Sequence, residues 1–438
     1  MDVSIVSCSA TPPSVPESDR FADPPYRGGD AYGSEMTTSA YSVDSGRAWL
    51  TVVASFLASA VTLGTAYSFG AFFESMSDEF GSASGETAVI FGITTFSFFW
   101  LSLVTGRMMD RFGPRVVLLV GAVAMAAGLL LTSRVDSLGV GYVTYGAGVG
   151  IAAACGYVPM VAMVGGWFVH HRAVAVGLAV AGIGVGTMVM SPLSASLIDR
   201  YGWRDTYVIF GLGGAAVLLA CIPLAARPPG DGTRQPSRFR DAWNSPVFRR
   251  VHLSSFALGL ALFVPFVFVG QYAKDRGVRS VKAAVLVGVL GGASVLSRIG
   301  FGTLVRSFGS FRLYRACYLI HALSFVVWFV AGSSYTVLVV FVFVLGVGYG
   351  GFVALGPIVI SDRMGVAGLG SILGLLYTGP GLGGLLGPPA AGWLIDRTDT
   401  YRWAIVACFV ACLVSIALLS GLPTTSDGRL RRADDAIG

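Results

Sequence analysis

The sequence predicts an all-α membrane protein with twelve transmembrane helices in two pseudo-symmetric bundles of six. Three observations predict it. Of 438 residues, 54% are hydrophobic and only 12% are charged, about half the ~25% charged share of a soluble domain. The apolar residues come in twelve long blocks nearly free of charge, each close to the ~20 residues needed to cross ~30 Å of hydrocarbon. The blocks repeat as six and six around a polar centre. This composition excludes disorder, a coiled coil and a small disulfide-stapled domain, and it argues against a soluble enzyme.

Residues 1–47 are polar, with Pro, Ser and Asp and no apolar run. They lack the basic start and apolar core of a secretory signal, so they are expected as a cytoplasmic tail. The first bundle, 48–226, takes spans at 48–73, 88–105, 116–132, 140–164, 173–198 and 206–226. Polar breaks delimit them: Glu74, Glu86, Arg107, Arg115, Arg134, Arg172, Asp199, Asp205 and Arg227. Residues 227–250 carry six Arg and form a cytoplasmic linker. The second bundle, 251–421, takes spans at 251–271, 283–305, 313–331, 335–360, 367–394 and 403–421, and 422–438 form a cytoplasmic tail. Breaks here fall at Arg250, Lys274, Lys282, Arg306, Arg312, Asp362, Asp396 and Arg402. The glycines and prolines between Gly374 and Pro389 are compatible with a span, because transmembrane helices tolerate both.

With the N-terminus inside, 20 Lys and Arg fall on the cytoplasmic side and 9 on the other. That bias obeys the positive-inside rule and predicts both termini in the cytoplasm. The first outer loop agrees, with Glu74, Asp78, Glu79 and Glu86 and no cation; the loop from Lys274 to Lys282 runs against it. The formal charge of +6 is therefore read as loop arginines and not as a nucleic-acid surface. A multi-pass protein of the plasma membrane, in contact with lipid, is expected. One basic residue remains inside a span, Arg298, and none of the 24 Asp and Glu lies in a span core.

The halves resemble each other. Asp199 and Asp396 are 197 residues apart, Pro159 and Pro357 198, Arg204 and Arg402 198, and Gly106 and Gly302 196. Six spans repeated in parallel is an architecture of secondary transporters. Two similar bundles can rock about a site between them, so access alternates without a through-pore.

Gly106-Arg-Met-Met-Asp110-Arg111-Phe-Gly113-Pro-Arg115 fits G-x3-D-R-x-G-x-R and resembles the signature loop of the major facilitator superfamily. The resemblance implies that fold and a cytoplasmic conformational lock built from Gly106, Asp110, Arg111, Gly113 and Arg115. Gly106 would let helices approach closely, and Asp110 would meet a helix end and a neighbouring Arg. An ordinary basic loop is the plain alternative. The second-half copy, Gly302 to Gly309, lacks the acid.

Trp167-Phe168-Val-His170-His171-Arg172, continuing through Ala175, Gly177, Ala179 and Gly182, resembles a signature of the monocarboxylate transporter family and its oxalate/formate-antiporter relatives. Asp44-Ser-Gly46-Arg-Ala-Trp49 partly matches that family's other signature. The resemblance implies movement of a small monocarboxylate, proton-linked or by exchange. Gly182-x3-Gly186 reads as a helix–helix contact face; no strand precedes it and no acid follows, so it is not a dinucleotide loop. The two lysines, Lys274 and Lys282, lie in no phosphate-binding loop, so transport is expected to draw on a gradient. No cofactor, no metal site and no enzymatic constellation are expected.

Arg298 carries the sharpest chemistry. A charge in a span costs about 2.5–3.5 kcal/mol on insertion scales and usually faces a cavity, and guanidinium has planar paired donors that suit a carboxylate. In the family a span-eight Arg pairs with the substrate carboxylate, and Arg298 matches it by its place before Gly300 and Gly302. The alternative is an Arg that snorkels to the interface. Many family members carry Asp four residues earlier, where this chain has Ser294. Animal members carry Lys in span one, where this chain has Tyr67. The oxalate relatives have a second cation in span eleven, where this chain has Pro380. One cation favours a monoanion over oxalate. Tyr67, Tyr157, Tyr349, Tyr377 and Ser294 are the further substrate-site candidates, since tyrosine can bond a carboxylate and still line an apolar wall; the plain reading of each Tyr is packing. His321 is a candidate proton shuttle, with helix packing as its alternative. His170 and His171, being adjacent, point to different sides of a helix. No Cys pair falls in outer loops, so no disulfide framework is expected. The sequence names no accessory subunit. Rival readings are a different small cargo (a drug, vitamin, sugar or amino acid), and a non-transporting sensor or scaffold with the same fold.

Overall fold

The computed structural model describes residues 44–229, 239–364 and 369–422. The expected tails and the middle of the 227–250 linker lie almost wholly outside them. In chain order the helices are α1 (Gly46–Tyr67), α2 (Phe69–Phe80), α3 (Ser84–Phe112), α4 (Pro114–Thr132), α5 (Leu138–Gly141), α6 (Gly148–Gly156), α7 (Val158–Trp167), α8 (Arg172–Cys221), α9 (Phe239–Asn244), α10 (Pro246–Leu262), α11 (Val264–Lys274), α12 (Ser280–Phe308), α13 (Ser310–Val330), α14 (Tyr335–Met364), α15 (Leu369–Thr398) and α16 (Tyr401–Ser420). A π turn, Tyr142–Ala147, joins α5 to α6. No strand occurs among the described residues.

With α1–α2, α5–α7 and α10–α11 taken as continuous, 10 helical segments among the described residues are long and apolar enough to cross a membrane. One of them, α8, runs 50 residues but breaks at Gly202, whose φ of 81° only glycine adopts readily. Expected spans five and six share it. The 30-residue α15 covers expected span eleven. Among the described residues these elements are consistent with twelve passes.

The helices run past the apolar blocks. α3 occupies Ser84–Phe112, where hydropathy marks 88–105. Hydropathy reports the oily thickness, whereas helical hydrogen bonding continues until a residue stops it. Gly113 does so at φ 85°, its amide closing on Met109 O at 2.8 Å, and Pro114 then starts α4.

The first and seventh spans are each broken near their middle, at matching points of the repeat. In the first, the Ser68 hydroxyl bonds back to Thr65 O at 2.8 Å, a contact that competes with the helical ladder. In the seventh, Pro265 follows Phe263 and brings no amide. Within the first half, α1 lies along α8 at the predicted small-residue face: a Cβ on Gly182 would strike Phe56 O, and one on Gly186 would strike Ala60 O. The halves meet along α3–α15, α8–α12 and α2–α11. There too glycines allow contact, since a Cβ on Gly184 would lie 2.6 Å from Gly291 O and one on Gly92 2.7 Å from Leu385 O.

Candidate functional site

α12 carries Arg298 into the seam with α8. Its residue exposure is 7%, so the head group does not snorkel to the surface. Nη1 donates to the carbonyl of Val180 on α8 at 2.7 Å. Nε and Nη2 are buried and make no hydrogen bond of ordinary geometry, although the Tyr349 side chain interacts with the guanidinium. They form one edge of the guanidinium, whose two parallel N–H groups have the geometry to donate a forked pair of hydrogen bonds to a carboxylate. Leaving such an edge unpaired and buried is costly.

Around it the structure gathers the four predicted tyrosines. The charge of Arg298 acts on Tyr67, Tyr157, Tyr349 and Tyr377, and its guanidinium lies 5.7 Å from the Tyr349 ring centroid. Tyr349 OH donates to Tyr67 OH at 3.2 Å, joining α14 to α1. Tyr67 in turn packs on Phe266 of α11, with ring centroids 4.6 Å apart. Next to it, Gly70 sits so close to the Phe266 carbonyl that a Cβ could not be added. These contacts join the Tyr349 ring beside Arg298 to Tyr67 and Phe266 in one aromatic cluster.

Two predicted residues sit differently. Ser294 is fully buried and spends its hydroxyl on Gly291 O at 2.7 Å, in the tight contact with Gly184. The structure therefore gives it a packing place, with no donor directed at Arg298. His321 is fully buried, and its Nδ1 lies 2.7 Å from Cys317 O of its own helix. A Cβ on Gly348 would crowd it. It is not brought to the Arg298 group.

The 106–115 loop is organised by partners that the sequence did not reveal. Arg227 Nη2 donates to Arg111 O at 2.8 Å, and Arg115 Nε to Ala225 O at 3.3 Å. Trp167 Nε1 donates to Ala226 O at 2.9 Å. Three consecutive residues after α8 thus tie together the loops that start α4 and α8. Arg111 Cζ also lies 5.1 Å from the Phe112 ring centroid. Among the described residues Asp110 has no ion-pair partner. Gly106 corrects an expectation: a Cβ there meets nothing within 4 Å, so no close helix approach occurs at it in this conformation.

The two family-like signatures touch. Asp44 N donates to Trp167 O at 3.1 Å, and Trp49 packs edge-on against Phe168 at 5.0 Å. The Asp44 carboxylate accepts the amides of Val169, His170 and His171 at 3.4, 3.2 and 3.3 Å. Both imidazoles flank it, with Nδ1 at 3.2 Å for His170 and 3.5 Å for His171.

At the opposite, acidic end the halves are closed on each other. Lys274 pairs with Glu74 at 2.8 Å, Phe73 packs on Phe268 at 5.2 Å, and Asp396 receives the Ser84 and Gly85 amides at 3.1 and 2.9 Å. A pocket of about 320 Å³ lies over this seam, lined by Glu74, Asp78, Asp275, Asp396 and Asp399 among others.

Comparison with known proteins agrees with this architecture. The profile of the Major Facilitator Superfamily matches residues 55–334 and 312–436. Monocarboxylate transporter 4 of Mus musculus is 31% identical over 418 residues, covering 89% of this chain and 86% of that protein. Monocarboxylate transporter 3 of Rattus norvegicus is 30% identical over 376 residues, covering 82% and 76%. In fold, the chain is similar to the nucleoside transporter NupG, with a TM-score of 0.70, 13% identity and coverage of 85% of this chain and 98% of that one. A bacterial homolog of the human lysosomal transporter Spinster, inward-facing and occupied, gives a TM-score of 0.69 at 15% identity, covering 84% and 95%. By sequence and by fold, the chain belongs to the Major Facilitator Superfamily and, within it, to the monocarboxylate transporter family.

Proposed function

We propose that this protein is a secondary transporter that moves a small monocarboxylate across the plasma membrane by alternating access, with both termini in the cytoplasm. One observation carries the reading. Arg298 is buried with its Nε–Nη2 edge unpaired, while its remaining nitrogen is held by the Val180 carbonyl. A carboxylate completes that edge and neutralises it. Tyr157 and Tyr377, within the reach of the same charge, supply hydroxyls for the rest of a small polar acid. The bundles 48–226 and 251–421 rock about this point, and the arginine bias of the loops supports the orientation.

A monoanion leaves the loaded cavity without net charge, so it reorients cheaply through a low-dielectric centre. The empty carrier keeps a charged Arg with two unsatisfied nitrogens, and its return is costly. Exchange of one acid for another is therefore the favoured mode. A proton that crosses with the acid makes net uptake electroneutral; with no Asp or Glu in a span core, it rides on a water or a tyrosine hydroxyl. The test is uptake of radiolabelled acids by purified protein in liposomes, with a panel of mono- and dicarboxylates, alcohols and nucleosides as competitors. Saturable uptake inhibited by monocarboxylates alone is expected. Inhibition by neutral analogues as strong as by the acids would assign another small cargo. Binding without flux would assign a sensor.

A further inference from the structure

We propose that Asp396 is a gate residue: from α15, in the second half of the chain, it serves as the N-terminal cap of α3 in the first half, and only while the acidic end is closed. The observation starts with what α3 lacks. Its N-cap position is Ala83, which offers no side-chain acceptor, and alanine is among the poorest residues there. The first amides of a helix have no partner within it. Here Ser84 N donates to Asp396 Oδ1 at 3.1 Å and Gly85 N to Oδ2 at 2.9 Å. A carboxylate at this end also meets the positive pole of the helix. The Glu86 side chain, the local acid, takes only the Ala83 amide at 3.3 Å.

The backbone is built for this approach. A Cβ on Gly392 would lie 2.6 Å from Gly85 N, and one on Gly85 would lie 3.0 Å from Trp393 N. Asp199, the counterpart of Asp396 in the first half, makes no hydrogen bond or ion pair among the described residues. The function is thus particular to one end of one seam. Asp396 lies at the rim of the acidic pocket, where water can replace it. Opening that end must draw α15 away from α3, and α3 then loses its cap. Losing an N-cap typically shifts an equilibrium by about fivefold, so Asp396 biases the empty carrier toward the closed acidic end.

This inference rests on the alternating-access reading above, and its test needs no substrate. Phe73→Cys places a reporter at a site that is 3% exposed and faces Phe268 across the seam. The full-length protein in liposomes is treated with a small maleimide, and the chain without Phe73→Cys gives the background. In the reporter background, Asp396→Ala should raise the labelling rate about fivefold. Asp396→Asn keeps an acceptor oxygen and should raise it less. Ala83→Asn gives α3 a cap of its own, so opening no longer uncaps the helix, and labelling should rise although Asp396 is intact. Labelling of Asp396→Ala within twofold of the reporter parent would overturn the proposal. If that variant misfolds, Ala83→Asn decides: unchanged labelling overturns it and faster labelling supports it. Because labelling reads the gate alone, failure of carboxylate uptake would count against the transport reading and not against this one.

Discussion

Arg298 of α12 and Val180 of α8 are joined across the two halves of the chain, the guanidinium Nη1 donating to the backbone carbonyl at 2.7 Å. The bond holds one side of the guanidinium and leaves its Nε–Nη2 edge without a hydrogen-bond partner. It also means that movement of α8 against α12 is felt directly at the charge.

The first prediction concerns that edge. Arg298→Lys keeps the charge but loses the fork, and uptake of a monocarboxylate should fall at least tenfold, about 1.4 kcal/mol or more of binding. Arg298→Gln should abolish uptake while the protein still reaches the membrane and stays monodisperse. Near-normal uptake by Arg298→Gln would remove the arginine from the site.

The second concerns the mode of transport. Liposomes loaded with unlabelled acid should take up labelled acid several-fold faster than empty ones, and an imposed membrane potential should change the exchange rate little, because the loaded cavity is neutral. Net uptake as fast as exchange would contradict the costly empty return. Strong voltage dependence would contradict the neutral loaded state.

The third concerns the 106–115 loop. Asp110 is unpaired here, with no ion pair among the described residues, so its partner is expected in the other access state. Asp110→Asn should therefore lower flux while leaving binding of the acid in detergent within about twofold of the parent. Equal loss of both would place the defect in folding.

The fourth concerns packing. A Cβ on Gly186 would run into the backbone of Ala60, with no flexible side chain to yield. Gly186→Val should destabilise the first half by about 1–3 kcal/mol. This would be read as earlier thermal unfolding in detergent. An unchanged melting temperature would mean that α1 and α8 are not held together at this contact.

The fifth concerns pH. Burial pushes the Asp44 carboxyl upward, but the hydrogen bonds from His170, His171 and Val169 outweigh it and bring the group from its ordinary 3.8 down to about 2. A depressed carboxylate stabilises the folded turn fully above its ordinary value, and the effect is lost as pH falls through the folded value. Amide protection at 169–171, corrected for intrinsic exchange, should stay level from about pH 8 to about pH 5 and vanish between about pH 4 and pH 2. Protection that persists unchanged below about pH 2 would show that the Asp44 carboxylate does not hold the turn.

Much of the fold was legible because lipid imposes a coarse and regular demand. Apolar length located the spans, and small residues at Gly182 and Gly186 located a real contact. Arg298 stood out as a lone charge, and the tyrosines around it stood out because each carries a hydroxyl on a ring that can still line an apolar wall. What stayed hidden was backbone chemistry. The partner of Arg298 is a carbonyl, which every residue has, so no sequence pattern marks Val180. The same holds for the carbonyls of Arg111, Ala225 and Ala226. The break at Ser68 has no proline to announce it. Ser294 was expected at the substrate because it stands where relatives carry Asp, yet a short hydroxyl one turn from a tight glycine contact satisfies itself on its own helix.

The trio Ala225, Ala226 and Arg227 has a further consequence for how the chain is made. Arg115 and Trp167 leave the ribosome well before the carbonyls they bond, and Arg111 O waits for Arg227. The seal across this end of the first half can close only when residues 225–227 emerge. From then on this seal is complete, while the residues of the second half that bond Val180, Ser84 and Gly85 are still to be synthesised. Domains that complete their own contacts early fold as units during synthesis. The placement of these three residues where α8 gives way to the linker therefore sets the earliest moment at which the starts of α4 and α8 can be tied together.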